Sequence, residues 1–248
     1  GVLGKQNSVN ETCVRDAGTG SLVGLTVTEC LAADTRSRVS KAIGKLVKKE
    51  TKKCMGDPSR LPEFGYPGDG VTSVATLISE AGLDQSLGML EDLFGSDLDD
   101  VIITAGAGQK CQADTLKRTN DVLEKMVDQA IRGKDAGLKN GSVLSTPELA
   151  QAITDAIDQD DKGRIAKEVT QLGEKVEMNC ATPGVDLASA FPGQCSGSIG
   201  ATAFASCLEL RARCRACLAL DAIDELSADC DGFDDGINDN LSCVPSAP

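Results

Sequence analysis

Apolar side chains recur at helical spacing along most of the chain. Between residues 31 and 54, Val39, Ala42, Ile43, Leu46 and Val47 form one stripe, and lysines fill the opposite face and the last turn, the pattern of an amphipathic helix. Residues 71–94 carry Val74, Leu77, Ile78, Leu83, Leu87, Leu90 and Phe94 and predict two short helices broken near Gly82. Leu116, Leu123, Met126, Ala130 and Ile131 predict a helix over 112–131, and Gly133 to Ser145 reads as a polar linker. Thr146-Pro147-Glu148 is a helix start: a capping hydroxyl, a proline in the first turn and an acid beside it. Leu149, Ile153 and Ile157 continue that helix, and Ile165, Val169, Leu172 and Val176 follow Gly163 in phase. A last helix is expected from about Gly200 to Leu226.

Two stretches depart from this period. Met55 to Gly70 holds Pro58, Pro62 and Pro67 and predicts a loop. Near the start, Ser8 to Val14 and Leu22 to Thr28 flank the turn-forming run Asp16-Ala17-Gly18-Thr19-Gly20, which predicts a small β hairpin. The fold expected is therefore mainly α: a disulfide-stapled helical domain with a small N-terminal β element. Its parts would be a β-like segment at 1–30, a helical region at 31–180 and a disulfide-rich C-terminal module at 181–248. Ala33-Asp34-Thr35 after Cys30 and Ala113-Asp114-Thr115 after Cys111 suggest a loose internal repeat.

Cysteine changes the picture most. There are eleven, and seven of them (Cys180, Cys195, Cys207, Cys214, Cys217, Cys230 and Cys243) fall in the last 69 residues. Such usage predicts an oxidising compartment and structural cross-links. A chain opening on Gly1 also matches a product of leader removal, so a secreted or cell-surface protein is expected. An intact helix from Cys30 to Cys54 would span roughly 36 Å at 1.5 Å per residue, too far for a bond needing Cα atoms within about 7 Å. Cys111 starts a helix and Cys180 ends an antiparallel return, so these two can meet. Cys13 and Cys30 can close the N-terminal hairpin, which leaves Cys54 to find a partner elsewhere. The full connectivity is not fixed by spacing. An odd count leaves one cysteine unpaired or bonded to another chain.

Cys214-Arg215-Ala216-Cys217 has the spacing of a redox pair but lies inside a predicted helix. With Cys207 it forms a stripe, the layout of cross-link points. The chain has no histidine, which removes the usual general base and the commonest metal ligand. Gly193-Gln194-Cys195-Ser196-Gly197 has the form of a nucleophile elbow yet lacks that base. No enzyme is predicted. Thirty-eight acids against 25 bases give a net charge of −13, and aromatics are only 2% of the residues. That composition argues against a nucleic-acid partner, since neither phosphate-neutralising patches nor stacking platforms are evident. No apolar run reaches the roughly 20 residues of a membrane span.

Two acidic stretches invite a metal. Asp158 to Ile165 resembles a calcium loop but places Lys162 and Val169 at ligand positions. From Asp229 to Asn240 the chain is richer: Asp229, Asp231, Asp234, Asp235 and Asn238, with Asp239 and Asn240, share twelve residues with two glycines. These oxygens make a candidate calcium site, with an Asx-rich turn that caps its own backbone as the plainer reading. Asn10, Asn140 and Asn240 begin glycan-acceptor triplets.

Three segments together resemble a known group. They are Lys41-Ala42-Ile43-Gly44-Lys45-Leu46 running to Cys54, Gly163-Arg164-Ile165-Ala166-Lys167 running to Cys180, and Cys214-x-x-Cys217 followed by Asp229-Cys230-Asp231-x-Phe233-Asp234-Asp235-Gly236 to Cys243. The combination is similar to uncharacterised cysteine-rich exported proteins of environmental bacteria. The resemblance implies export and a disulfide framework. The function expected is an extracellular structural or assembly protein, a filament or surface-layer subunit whose partners are copies of itself. Its N-terminal strand would add to the next copy's sheet edge. The alternative is a monomeric secreted binding module stabilised by calcium.

Overall fold

A computed structural model describes residues 1–54, 64, 73–238 and 240–243. The loop prolines Pro58, Pro62 and Pro67, and Asp239 of the acidic stretch, lie outside them. The helices are α1 (Val2–Gly18), α2 (Val27–Ala33), α3 (Arg38–Lys53), α4 (Val74–Phe94), α5 (Leu98–Val101), α6 (Gly106–Asn140), α7 (Thr146–Gln159), α8 (Arg164–Val176), α9 (Leu187–Ala190), α10 (Gly200–Asp224) and α11 (Cys230–Asp234). A π-helical turn, Glu177–Ala181, extends α8. Among the described residues there is no strand, so the N-terminal hairpin is corrected: Ser8 to Val14 lies within α1. The buried face of α1 is Val2, Gln6, Asn7, Val9, Asn10, Cys13 and Val14. That face has helical period, but three of its members are polar, which hides the stripe from a hydrophobicity reading.

Other boundaries move for local reasons. Residues 31–54 are not one helix. Asp34 sits in the left-handed region (φ 37°) and its carboxylate accepts from the backbone N–H of Arg38 (2.7 Å) and Ser40 (2.9 Å). One side chain thereby ends α2 and caps α3. Gly82 does not break α4; a Cβ there would lie 3.0 Å from the Leu3 backbone nitrogen, so the glycine lets α1 and α4 approach. Gly133 does the same where α6 meets α7, against the Ala152 carbonyl oxygen at 2.7 Å, and α6 runs on to Asn140. Helix α7 starts one residue early, with Ser145 as the cap accepting from Glu148 N.

The helices form the same arrangement twice. Helix α1 packs on α2, α3 and α4; α6 packs on α7, α8 and α10; α1 meets α6, and α4 meets α10. The sequence follows. Leu3, Asn7, Val9, Glu11, Val14 and Ala17 recur 113 positions on as Leu116, Asn120, Val122, Glu124, Val127 and Ala130. Past a longer α6–α7 hairpin the offset becomes 126: Asp34, Arg38, Lys41, Leu46, Cys54, Ala75 and Thr76 recur as Asp160, Arg164, Lys167, Leu172, Cys180, Ala201 and Thr202. Asp160 has the φ of 37° and ψ of 48° found at Asp34. It caps α8 as Asp34 caps α3, through Arg164 N and Ala166 N.

The seam between the units is reciprocal. Asn7 Nδ2 donates to Glu124 Oε1 (2.9 Å), and Asn120 Nδ2 donates to Glu11 Oε1 (3.2 Å). The repeat suggested by Ala33-Asp34-Thr35 and Ala113-Asp114-Thr115 is thus out of register, since the second triplet lies within α6. One core runs from Val2 to Leu226. Its aromatic centre is Phe94, Phe191 and Phe204, with successive ring centroids 5.5 and 5.0 Å apart, each pair worth about 0.5–1.5 kcal/mol beyond its buried area.

Five disulfides close the frame: Cys13–Cys30, Cys111–Cys180, Cys195–Cys207, Cys214–Cys243 and Cys217–Cys230. Cys54 is the free thiol, half-buried. Cys214 and Cys217 bond to the C-terminal tail and not to each other, and the sulfur of Cys195 is likewise consumed. No described helix is long and apolar enough to cross a membrane.

Candidate functional site

Helix α3 carries Arg38, Lys41, Lys45, Lys48, Lys49, Lys52 and Lys53 against the single acid Glu50, a net +6 on sixteen residues. The whole chain is −13, so the other 232 residues carry −19. Even Glu50 is taken inward: its carboxylate accepts from Ser73 Oγ (2.7 Å) and Ala75 N (3.3 Å) at the start of α4. The outward face of α3 is therefore cationic along its length. Beside it runs a groove of about 420 Å³, floored by Val2, Ala42, Leu46 and Ile78 and rimmed by Lys5, Arg38, Lys41, Lys45 and Lys49. Lys5, Lys41, Lys45 and Lys49 are exposed.

The second unit shows that the fold does not require this charge. Helix α8 fills the slot of α3 with Arg164, Lys167 and Lys175 against Glu168 and Glu174, a net +1. Glu168 replaces Ala42, Gln171 replaces Lys45 and Glu174 replaces Lys48. Arg118, the counterpart of Lys5, donates to Gln171 Oε1 (2.6 Å) and pairs with Glu168 (3.6 Å) and Asp121 (3.2 Å). What is neutralised in one unit is left cationic in the other.

The acidic C-terminal loop carries the opposite charge. The structure brings Asp229, Asp231, Asp234, Asp235 and Asn238 into one turn around α11, and its carboxylates accept from the chain itself. Asp229 caps Asp231 N (3.1 Å), and Asp231 takes Cys243 N (2.7 Å) and Leu241 N (3.0 Å). Asp234 takes Ser242 Oγ (2.9 Å), and Asp235 takes Ile237 N (2.8 Å) and Asn240 Nδ2 (2.9 Å). Asn238 Oδ1 lies directly over Gly232. The sulfurs of Cys214 and Cys243 are close to the Asp234 carboxylate, but they are bonded to each other. Ile237 and Leu241 project into solvent, 59% and 78% exposed. Asp158 Oδ1, in the other acidic stretch, pairs with Arg213 at 3.0 Å. Of the glycan triplets, Asn10 is fully buried and bonds Ser86, so only Asn140 and Asn240 present a surface amide.

Sequence reasoning missed a buried network. Asp92, on α4, receives Arg215 through two bonds (2.7 and 2.8 Å) and Arg211 Nε at 3.2 Å. Nothing but two arginines at i and i+4 in a cysteine-bearing helix could have signalled it.

Several carboxyls are perturbed. Burial pushes Glu11, Asp224 and Asp234 above their ordinary values, against the pull of Asn120, Lys134 and Ser242 respectively. Asp34 moves down: burial, the largest single influence, would raise it, and the hydrogen bonds from Ser40, Val39 and Arg38 together outweigh it. The raised groups bind more protons folded than unfolded, so stability grows as pH falls through their folded values toward the ordinary 3.8 and 4.5. The contribution of Asp34 is present above 3.8 and is lost below it. Circular-dichroism melts are expected to show Tm rising as pH is lowered from 7 toward 4.5, then falling below 3.8. A steady decline from pH 7 downward would contradict this assignment.

Comparison of the chain with protein-family models, curated proteins and solved structures finds no match among any of the three.

Proposed function

We propose that the protein is a disulfide-locked helical subunit that associates with copies of itself outside the cell, the cationic face of α3 meeting the acidic surface of the next copy. One observation carries the reading: +6 is concentrated on a single helix of a −13 chain, in a slot that the second unit fills at +1. The complement is supplied by the chain itself. The C-terminal loop offers Asp229 and Asp235 around exposed Ile237 and Leu241, acid and apolar together, as the groove beside α3 offers base and apolar together. Two different patches on one molecule make a head-to-tail contact, which repeats into an open filament unless the rotation closes it. Helix faces replace the strand addition expected from the sequence. Five disulfides, with no described helix fit to span a membrane, are compatible with an extracellular setting.

Charged contacts of this kind are screened within about 10 Å at 0.1 M salt. Sedimentation velocity is expected to show concentration-dependent association in 20 mM salt that weakens at least tenfold in 300 mM. Lys45→Glu with Lys49→Glu should remove it, and electron microscopy of the low-salt sample should show chains of particles. A protein that stays monomeric at low salt and high concentration is not an assembly subunit of this kind.

A further inference from the structure

A cavity of about 540 Å³ opens in the first unit between α1, α2, α3, α4 and α5. That size lies within the roughly 300–1,000 Å³ of ligand pockets. Its walls are chiefly Leu31, Val39, Leu83, Leu87 and Leu90. Leu31, Val39 and Leu90 are buried, whereas Leu87 remains 38% exposed. Its polar lining includes Glu91 and Asp34, and among the described residues no lysine or arginine lines it.

The second unit builds the equivalent seam from different residues. Ala32, Leu83 and Leu87 correspond to Asp158, Glu209 and Arg213, each 126 positions on. Those three groups are joined: Arg213 Nη1 lies 3.0 Å from Asp158 Oδ1, and Arg213 Nε lies 3.7 Å from Glu209 Oε1. The α7–α10 seam is thus bridged by an ion-pair triad. At the equivalent α2–α4 seam all three members are apolar and span nothing. Three coordinated departures at one seam, all toward apolar character and all lining one cavity, are the signature of a wall that faces a ligand.

We infer that this cavity is a binding site for a small amphiphile with an aliphatic tail and a cationic head. The tail lies against Leu31, Leu83, Leu87 and Leu90, and the head sits at the mouth by Glu91 and Asp34. An anionic amphiphile would meet those carboxylates with no cation among the described lining residues to offset them.

The test is calorimetric titration of the intact protein with decyltrimethylammonium and with decanoate, both below their micellar concentrations. The cation is expected to bind at least tenfold more tightly. Because a −13 chain also attracts cations without a site, the deciding comparison is a variant that rebuilds the bridge, Ala32→Asp with Leu83→Glu and Leu87→Arg. It should lose at least tenfold in affinity while its circular dichroism is unchanged; Leu87→Arg alone serves if the triple variant misfolds. Equal binding of both probes, no binding of either, or unchanged binding by the folded variants would each overturn the assignment.

Discussion

Asp92→Ala is expected to lower the unfolding free energy by about 3–5 kcal/mol, the cost of removing one partner from a buried ion pair. The Asp92 side chain is 2% exposed, and it faces Arg215 at 3% and Arg211 at 9%. Its two oxygens take Arg215 Nη2 and Nε at 2.7 and 2.8 Å, a bidentate fork. Removing the carboxylate leaves two guanidinium groups buried with their principal counter-charge gone. Arg211 also donates to the Ser242 carbonyl, so the network holds the tail that Cys214–Cys243 ties down. The loop before α10 docks at the same place, with Gly193 N and Gln194 N donating to the Leu93 and Asp92 carbonyls at 3.1 and 2.8 Å. Urea unfolding at pH 7 should show a lower midpoint with an unchanged slope. Replacing all three members by apolar residues of similar size, Asp92→Leu with Arg211→Met and Arg215→Met, should cost far less than the single change, because no charge is then stranded. A loss under 1 kcal/mol for Asp92→Ala would mean that the guanidinium groups reach water when it is gone.

The helices legible in the sequence are those whose buried face is apolar. Val39, Ile43 and Leu46 marked α3, Leu149, Ile153 and Ile157 marked α7, and Ile165, Leu172 and Val176 marked α8. Helix α1 was not legible because it buries Gln6, Asn7 and Asn10 in a seam, where Asn7 and Asn10 find partners on α4 and α6 and Gln6 donates to Asn10 within the helix. A polar residue looks exposed until its partner is known, and the partners of Asn7 and Asn10 on α4 and α6 are 76 to 117 positions away. The duplication stayed hidden for a related reason. Few identities survive, and the longer α6–α7 hairpin shifts the register from 113 to 126 partway along. The lysines of α3 were visible as a helix face, but their meaning depended on seeing α8 fill the same slot nearly neutral. In the same register Cys54 stands where Cys180 stands in the second unit, unbonded where Cys180 is bonded to Cys111.

Cys111→Ala with Cys180→Ala is expected to cost about 4 kcal/mol. The pair closes the α6–α8 hairpin over a sequence separation of 69 residues, the longest of the five, and the chain-entropy gain of a disulfide grows with the logarithm of the loop. The reasoning that joined these cysteines from helix geometry also fixes what is lost. Without the bond, the start of α6 and the end of α8 are held by packing and by Asn179 Nδ2 donating to Asp114 Oδ2 at 2.6 Å. The first unit supplies the control. It carries Cys54 unbonded at the equivalent place, so Cys54→Ala removes a half-buried thiol and no loop closure. Equilibrium unfolding of the oxidised proteins should therefore separate the variants: a drop near 4 kcal/mol for the pair, and within about 0.5 kcal/mol of the parent for Cys54→Ala. Equal losses would show that the cross-link adds nothing beyond the packing of its two residues, and that the unit already folds as firmly without it as its counterpart does.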